Sequence, residues 1–80
     1  MRLDKYLKVA RIIKRRTVAN EACDASHVTV NGRPAKASYD VRVGDVIAIT
    51  FGARTLTIRV LEVRETVGKD AAASLYEVVE

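Results

Sequence analysis

Tryptophan is absent from these 80 residues, and the aromatic content is three Tyr and one Phe. So few rings exclude a platform on which successive bases stack. A single Cys cannot close an internal disulfide, so no cross-link supplements the small core that a chain of this length forms. The lone thiol also fits a reducing, cytoplasmic setting. One His and one Cys offer no metal set, and neither G-x-x-x-x-G-K nor G-x-G-x-x-G occurs. No apolar run approaches the roughly 20 residues that cross a bilayer, and Met1 leads into a charged segment rather than an apolar signal core. These absences predict a cytoplasmic, non-enzymatic protein with no cofactor and no metal.

Charge is what the chain has, and it is unevenly placed. The net is +4 and the pI about 9.6. Arg2, Lys5, Lys8, Arg11, Lys14, Arg15, Arg16, Arg33 and Lys36 meet only Asp4, Glu21 and Asp24 in the first 36 residues, whereas acids outnumber bases seven to five beyond them. A local cationic excess favours a polyanion partner, because cations that neutralise phosphates release condensed counterions. Composition leaves open a nucleic acid, an anionic membrane surface, an acidic protein and a merely solvated face.

Leu3, Tyr6, Leu7 and Ala10 recur at helical spacing, which predicts an amphipathic helix with Asp4, Lys8 and Arg11 on the opposite, exposed side and Lys5 at its edge. Asp4 has two readings. It is favoured in a first helical turn and lies one turn from Lys8; alternatively it orients Arg2 or Arg16 toward a phosphate. After Ile12 and Ile13, Lys14, Arg15 and Arg16 set three cations at the approach to a second helix, whose free N–H groups already favour anions. That helix is expected over about Arg16 to Asp24, with Val18, Ala22 and Cys23 inward and Ala19 allowing close approach. Cys23 reads as a small core residue, since Glu21 and Asp24 raise rather than lower a thiol pKa.

From His27 to Val30 the pattern alternates, and Asn31-Gly32 then signals a tight hairpin turn. Arg33 and Lys36 flank Pro34 and extend the basic surface, while His27 reads as surface or structural. Val41, Val43, Val46, Ile47 and Ile49 look like strand material broken at Gly44-Asp45 and leading to Phe51, with a hairpin at Gly52-Ala53. Thr55 to Val63 is the clearest strand, with Leu56, Ile58 and Val60 inward, then either Leu61 or Val63; the switch predicts a bulge or coverage on both sides. Gly68 to Ser74 reads as a loop with one helical turn, and Leu75, Tyr76, Val78 and Val79 as a closing strand. Asp40, Asp45 and Glu62 are expected in turns and on solvated strand faces.

Arg2-Leu3-Asp4 with Leu7, then Arg16, Ala19, Val30-Asn31-Gly32, Ser38-Tyr39, Val41 and Gly44-Asp45-Val46-Ile47 follow a known pattern without a gap. Over its first 50 residues the chain resembles the S4-type RNA-binding domain, or alpha-L RNA-binding motif. The resemblance implies an α+β fold of two short N-terminal helices packed on a small, mostly antiparallel curved sheet. It implies one domain over residues 1–80, with the core motif at 1–50 and a C-terminal β extension at 51–80. Phe51-Gly52, Thr57-Ile58, Val60, Lys69, Ala72 and Tyr76 extend the likeness to the stand-alone S4 proteins of bacterial ribosome-associated quality control.

For function, that resemblance implies a monomeric factor, not bound to membrane, that binds rRNA and peptidyl-tRNA on obstructed large ribosomal subunits. There it supports RqcH in template-free C-terminal alanine tailing. Heat-shock S4 proteins that rescue stalled large subunits are the near alternative, and an adaptor for an acidic protein or a DNA-binding module are rivals of other classes. RNA recognition is expected by shape, with cations tracking phosphates. Arg2 and Arg16 are the central candidates, Lys8, Arg11 and Arg15 flank them, Lys5, Lys14, Arg33 and Lys36 lie outermost, and Asp4 orients.

Two positions depart from the family. Ser26 stands at the helix-to-strand corner where Gly is usual, and a non-Gly residue at positive φ costs about 1 kcal/mol, so either the corner is reshaped or stability is given up. Arg15 stands where many members place a Ser that caps the second helix, which removes a hydroxyl acceptor for its first N–H groups.

Overall fold

Leu3, Tyr6 and Leu7 form a fully buried stripe along α1 (Leu3–Val9), the first element of the computed structural model, which describes residues 1–79. No side chain caps α1. Its first N–H groups bond instead to a loop that runs alongside: Leu3 N–H donates to the Tyr39 carbonyl at 2.8 Å and Asp4 N–H to the Ala37 carbonyl at 3.2 Å. Val41 N–H returns a bond to the Met1 carbonyl at 2.8 Å, so the helix start is clamped by backbone.

Past Val9 the chain closes the helix with two crossing bonds, Arg11 N–H to the Lys8 carbonyl at 2.9 Å and Ile12 N–H to the Leu7 carbonyl at 3.0 Å. This Schellman pattern requires a left-handed residue, and Arg11 supplies it at φ +58°. α2 (Arg16–Asp24) ends in the same way, with Ser26 N–H on the Cys23 carbonyl at 3.0 Å and His27 N–H on the Ala22 carbonyl at 2.9 Å. Ser26 stands at φ +62°, so the corner keeps the left-handed shape and bears its strain. α2 packs on α1 through Ala19 and Cys23, which are buried. Val18, expected inward, is 47% exposed, because the narrow contact stripe of this short helix passes through positions 19 and 23 and leaves 18 to one side.

The sheet has the order β2-β1-β3-β4-β5, antiparallel throughout, from β1 (Val28–Val30), β2 (Arg33–Pro34), β3 (Val46–Phe51), β4 (Arg54–Val60) and β5 (Tyr76–Val78). Asn31 and Gly32, both at positive φ, turn β1 into β2, as the Asn-Gly pair predicts. Val28, Val30, Ile47, Ile49, Ile58 and Val60 project from one face to meet Leu3, Tyr6, Leu7 and Ala19 in the core.

Three expectations about the strands are corrected. Val41 and Val43 are not in a strand: Val41 is buried beside α1, Val43 is 66% exposed, and among the described residues the ladder contact there is an isolated bridge between Arg2 and Asp40. Asp45 explains the break, accepting from Arg42 N–H at 3.0 Å, the Tyr39 hydroxyl at 2.9 Å and Asn31 Nδ2 at 3.2 Å, which folds residues 42–45 into a turn. β4 ends at Val60 rather than reaching Val63, and there is no bulge. Its neighbour β3 begins at Val46, so pairing runs out; Leu61 and Glu62 N–H then both donate to the Leu75 carbonyl, at 2.8 and 3.1 Å. Val63 packs against the core and Leu61 is 40% exposed. A 3-10 turn at Ala72–Leu75 precedes β5, and the Tyr6 hydroxyl donates to that same Leu75 carbonyl at 2.9 Å.

Candidate nucleic-acid interface

At the seam of the two helices lies one carboxylate, Asp4, whose side chain is 2% exposed. The sequence periodicity placed it on the solvent side with Lys8; it faces α2 instead. Arg2 donates to it from Nε at 3.2 Å and from Nη2 at 3.3 Å, Lys5 N–H at 2.7 Å and Asn20 Nδ2 at 3.3 Å. Arg16 brings its Nε to 3.4 Å of Oδ2. Burial alone raises the Asp4 pKa, but the bonds from Arg2, Asn20, Arg16 and the Lys5 N–H outweigh it and hold the carboxyl below its ordinary value. Asp4 is therefore ionised at neutral pH and holds an arginine from each side of the seam. The Arg2 and Arg16 side chains remain half exposed, at 49% and 46%, so each guanidinium keeps donors for a further acceptor.

The remaining cations fall into separate groups. Lys5, Lys8, Arg11, Lys14 and Arg16 line one groove, which runs between α1 and the segment following β4. Arg2, Asn20 and Lys36 line a second groove, and Arg33 joins Lys36 in a third at the β1–β2 hairpin. The Asp4 carboxylate thus links the first groove to the second, through Arg16 and Arg2. Arg11 does not lie on a helical face; it stands on the left-handed turn beyond α1, which swings it toward Lys14 and Arg16. Arg15 is exposed at the start of α2, makes no capping bond and lines none of these grooves.

Two participants escaped the sequence reading. Asn20 lies one helical turn after Arg16, so both reach Asp4 from the same side of α2; the i, i+4 spacing was the available signal. Glu65 lines the cationic groove and accepts from Lys5 Nζ, and nothing local in the sequence reveals a pairing across 60 positions. Cys23 is buried beneath this region, and burial together with the charges of Asp4 and Asp24 pushes its thiol up to about 11. Glu21, expected to contribute, is not among the causes.

The chain belongs to the S4 domain family, whose sequence profile matches residues 1–47, the span that holds both helices, the Asp4 seam and the β1–β2 hairpin. It is similar in particular to a protein of Halalkalibacterium halodurans named RQC P-site tRNA stabilizing factor, with 53% identity across 98% of this chain and 89% of that one. The protein of the same name from Bacillus subtilis is 47% identical over 99% of this chain and 92% of its own length. A heat shock protein 15 homolog from Aeromonas salmonicida is 35% identical over 81% of this chain but 49% of the relative. Among solved structures, the trimeric heat shock protein 15 of Vibrio cholerae superposes with a TM-score of 0.92 at 32% identity, covering 99% of this chain and 81% of that one. The solution structure of a hypothetical protein, HP1423, gives 0.85 at 28% identity over 100% and 98%.

Proposed function

We propose that this protein is a non-catalytic RNA-binding factor of ribosome-associated quality control that binds P-site tRNA and rRNA on obstructed large ribosomal subunits. The observation that carries this reading is the shared carboxylate: a buried, ionised Asp4 presents Arg2 and Arg16 as a fixed pair with donors facing outward. Guanidinium groups held in this way suit phosphate oxygens, since their planar forks are oriented before binding. Lys5, Lys8, Arg11 and Lys14 continue the cationic track on one side, and Lys36 and Arg33 on the other. Near full-length identity to relatives named for P-site tRNA stabilisation supports the tRNA. The heat-shock alternative is less favoured by sequence, because its Aeromonas homolog is 35% identical to this chain whereas the relatives named for tRNA stabilisation are 53% and 47% identical.

In this reading residues 1–80 act as one domain, a 1–50 motif with a β extension at 51–80, working as a cytoplasmic monomer without enzymatic chemistry. The factor holds peptidyl-tRNA while RqcH carries out C-terminal tailing. Arg15 takes a flanking phosphate in place of the missing cap.

Crosslinking followed by RNA sequencing tests the proposal. Wild-type protein should enrich tRNA and large-subunit rRNA, and Arg16→Ala should lose that enrichment while still folding. Absence from the large-subunit fraction when translation is stalled would overturn it.

A further inference from the structure

We propose that Glu65 is a specificity-determining residue that occupies a phosphate seat at Lys5 and must be displaced before RNA can use that lysine. The proposal rests on the RNA-binding reading above and concerns the same groove.

Lys5, Lys8, Arg11, Lys14 and Arg16 line this groove, and among the described residues lining it Glu65 is the sole acid. Its carboxylate accepts directly from Lys5 Nζ. Both side chains reach water, with Glu65 74% exposed, so the pair is not a buried structural bridge of the Asp4 kind. An exposed pair contributes little to stability, and its partners separate readily when a better acceptor arrives. What the pair does alter is the field that a polyanion meets, because it cancels one cation and sets a negative charge among the others.

The anchors on either side of Glu65 keep that charge within reach of Lys5. Leu61 and Glu62 are tied to the Leu75 carbonyl, and Val63 and Val67 pack against the core on either side. Among the described residues, 63–67 enter no backbone hydrogen bond of the turns and loops. Hydrophobic anchors at both ends with a free backbone between them let the carboxylate swing off Lys5 without unfolding its surroundings. The hydrogen bond and charge of Lys5 hold Glu65 below its ordinary pKa, so it stays ionised at physiological pH and is displaced by competition, not by protonation.

A weak or badly fitted polyanion meets repulsion at Glu65 and gains nothing from Lys5. An RNA already fixed by Arg2 and Arg16 brings a phosphate to Lys5 at high local concentration and displaces the carboxylate. Glu65 thus lowers affinity for arbitrary polyanions more than for a matching RNA.

Glu65→Gln, which keeps shape and removes charge, tests this in fluorescence titrations of the full chain with heparin, a generic RNA duplex and tRNA at several salt concentrations. The expected result is severalfold tighter binding to heparin and duplex, with a log–log salt slope steeper by about one because Lys5 then neutralises one more anionic group, and a smaller gain for tRNA with its slope unchanged. Adding Lys5→Gln to Glu65→Gln should abolish the gain. Wild-type and Glu65→Gln curves that superimpose, or an equal gain for all three ligands, would overturn the role of Glu65 while leaving RNA binding intact. A flat salt response in the wild type would overturn the RNA-binding reading itself, and this inference with it.

Discussion

Arg16 on α2 holds its Nε 3.4 Å from the carboxylate of Asp4 on α1, although twelve positions of chain separate them. The same carboxylate bonds Arg2, so removing its charge should release two cations at once. Asp4→Asn keeps the volume but sets an amide against two guanidiniums. We expect a loss of about 1–3 kcal/mol in urea denaturation together with reduced RNA affinity. Arg16→Ala should weaken RNA binding with far less effect on stability, and should reduce the salt slope by about one.

Asp4 also predicts a pH dependence. Its folded-state pKa lies below the ordinary value, so the stability it supplies is fully present above the unfolded pKa and is lost as pH falls through the depressed folded value. The stability gap between wild type and Asp4→Asn, followed by urea midpoint, should be constant above about pH 5 and shrink as the solution is acidified below the unfolded value. Asp40 and Glu65 also titrate low, but they are common to both proteins and cancel in the difference.

Ser26→Gly should stabilise the protein. The serine occupies a left-handed Schellman position at φ +62°, where glycine avoids the clash of a Cβ with the carbonyl oxygen. Part of the gain is offset by the greater freedom of glycine in the unfolded chain, leaving up to about 0.5 kcal/mol, or a few degrees in a thermal melt. Arg11→Gly relieves the same strain at φ +58° but removes a groove cation, so its melting temperature should rise while RNA affinity falls.

Cys23 should be inert in the folded state. With its thiol pushed up to about 11 and buried, almost none is thiolate at neutral pH. A thiol-reactive dye should label it only at the rate of unfolding, and prompt labelling in native buffer would contradict the packing described here.

Much of this architecture was legible in the sequence where local pattern and tertiary packing agree. α2 spans the residues that its charge and alanine pattern indicated, and Asn31-Gly32 turns where its dipeptide demands. Apart from Val18, the failures share a cause: in each a long-range contact overrode local periodicity. Asp4 looked solvated by helical phasing, which counts only apolar residues; the alternative that it orients Arg2 or Arg16 named the partners it has, but not its burial. Val41 looked like a strand because its burial comes from α1 rather than a sheet neighbour. Thr55–Val63 looked continuous because the end of β4 is set by where β3 begins. In the site, the basic residues were visible as a cluster; their division into three grooves, and the roles of Asn20 and Glu65, depend on how the loops fold back.

The Leu75 carbonyl receives the Tyr6 hydroxyl and the N–H groups of Leu61 and Glu62. Tyr6 is fully buried on α1, so its phenol lacks this acceptor until residue 75 has arrived. The final packing of α1 therefore requires the 3-10 turn at Ala72–Leu75. One backbone oxygen thereby ties the first helix to the far end of the sheet, so the orientation of the cationic seam depends on residues some seventy positions away from it.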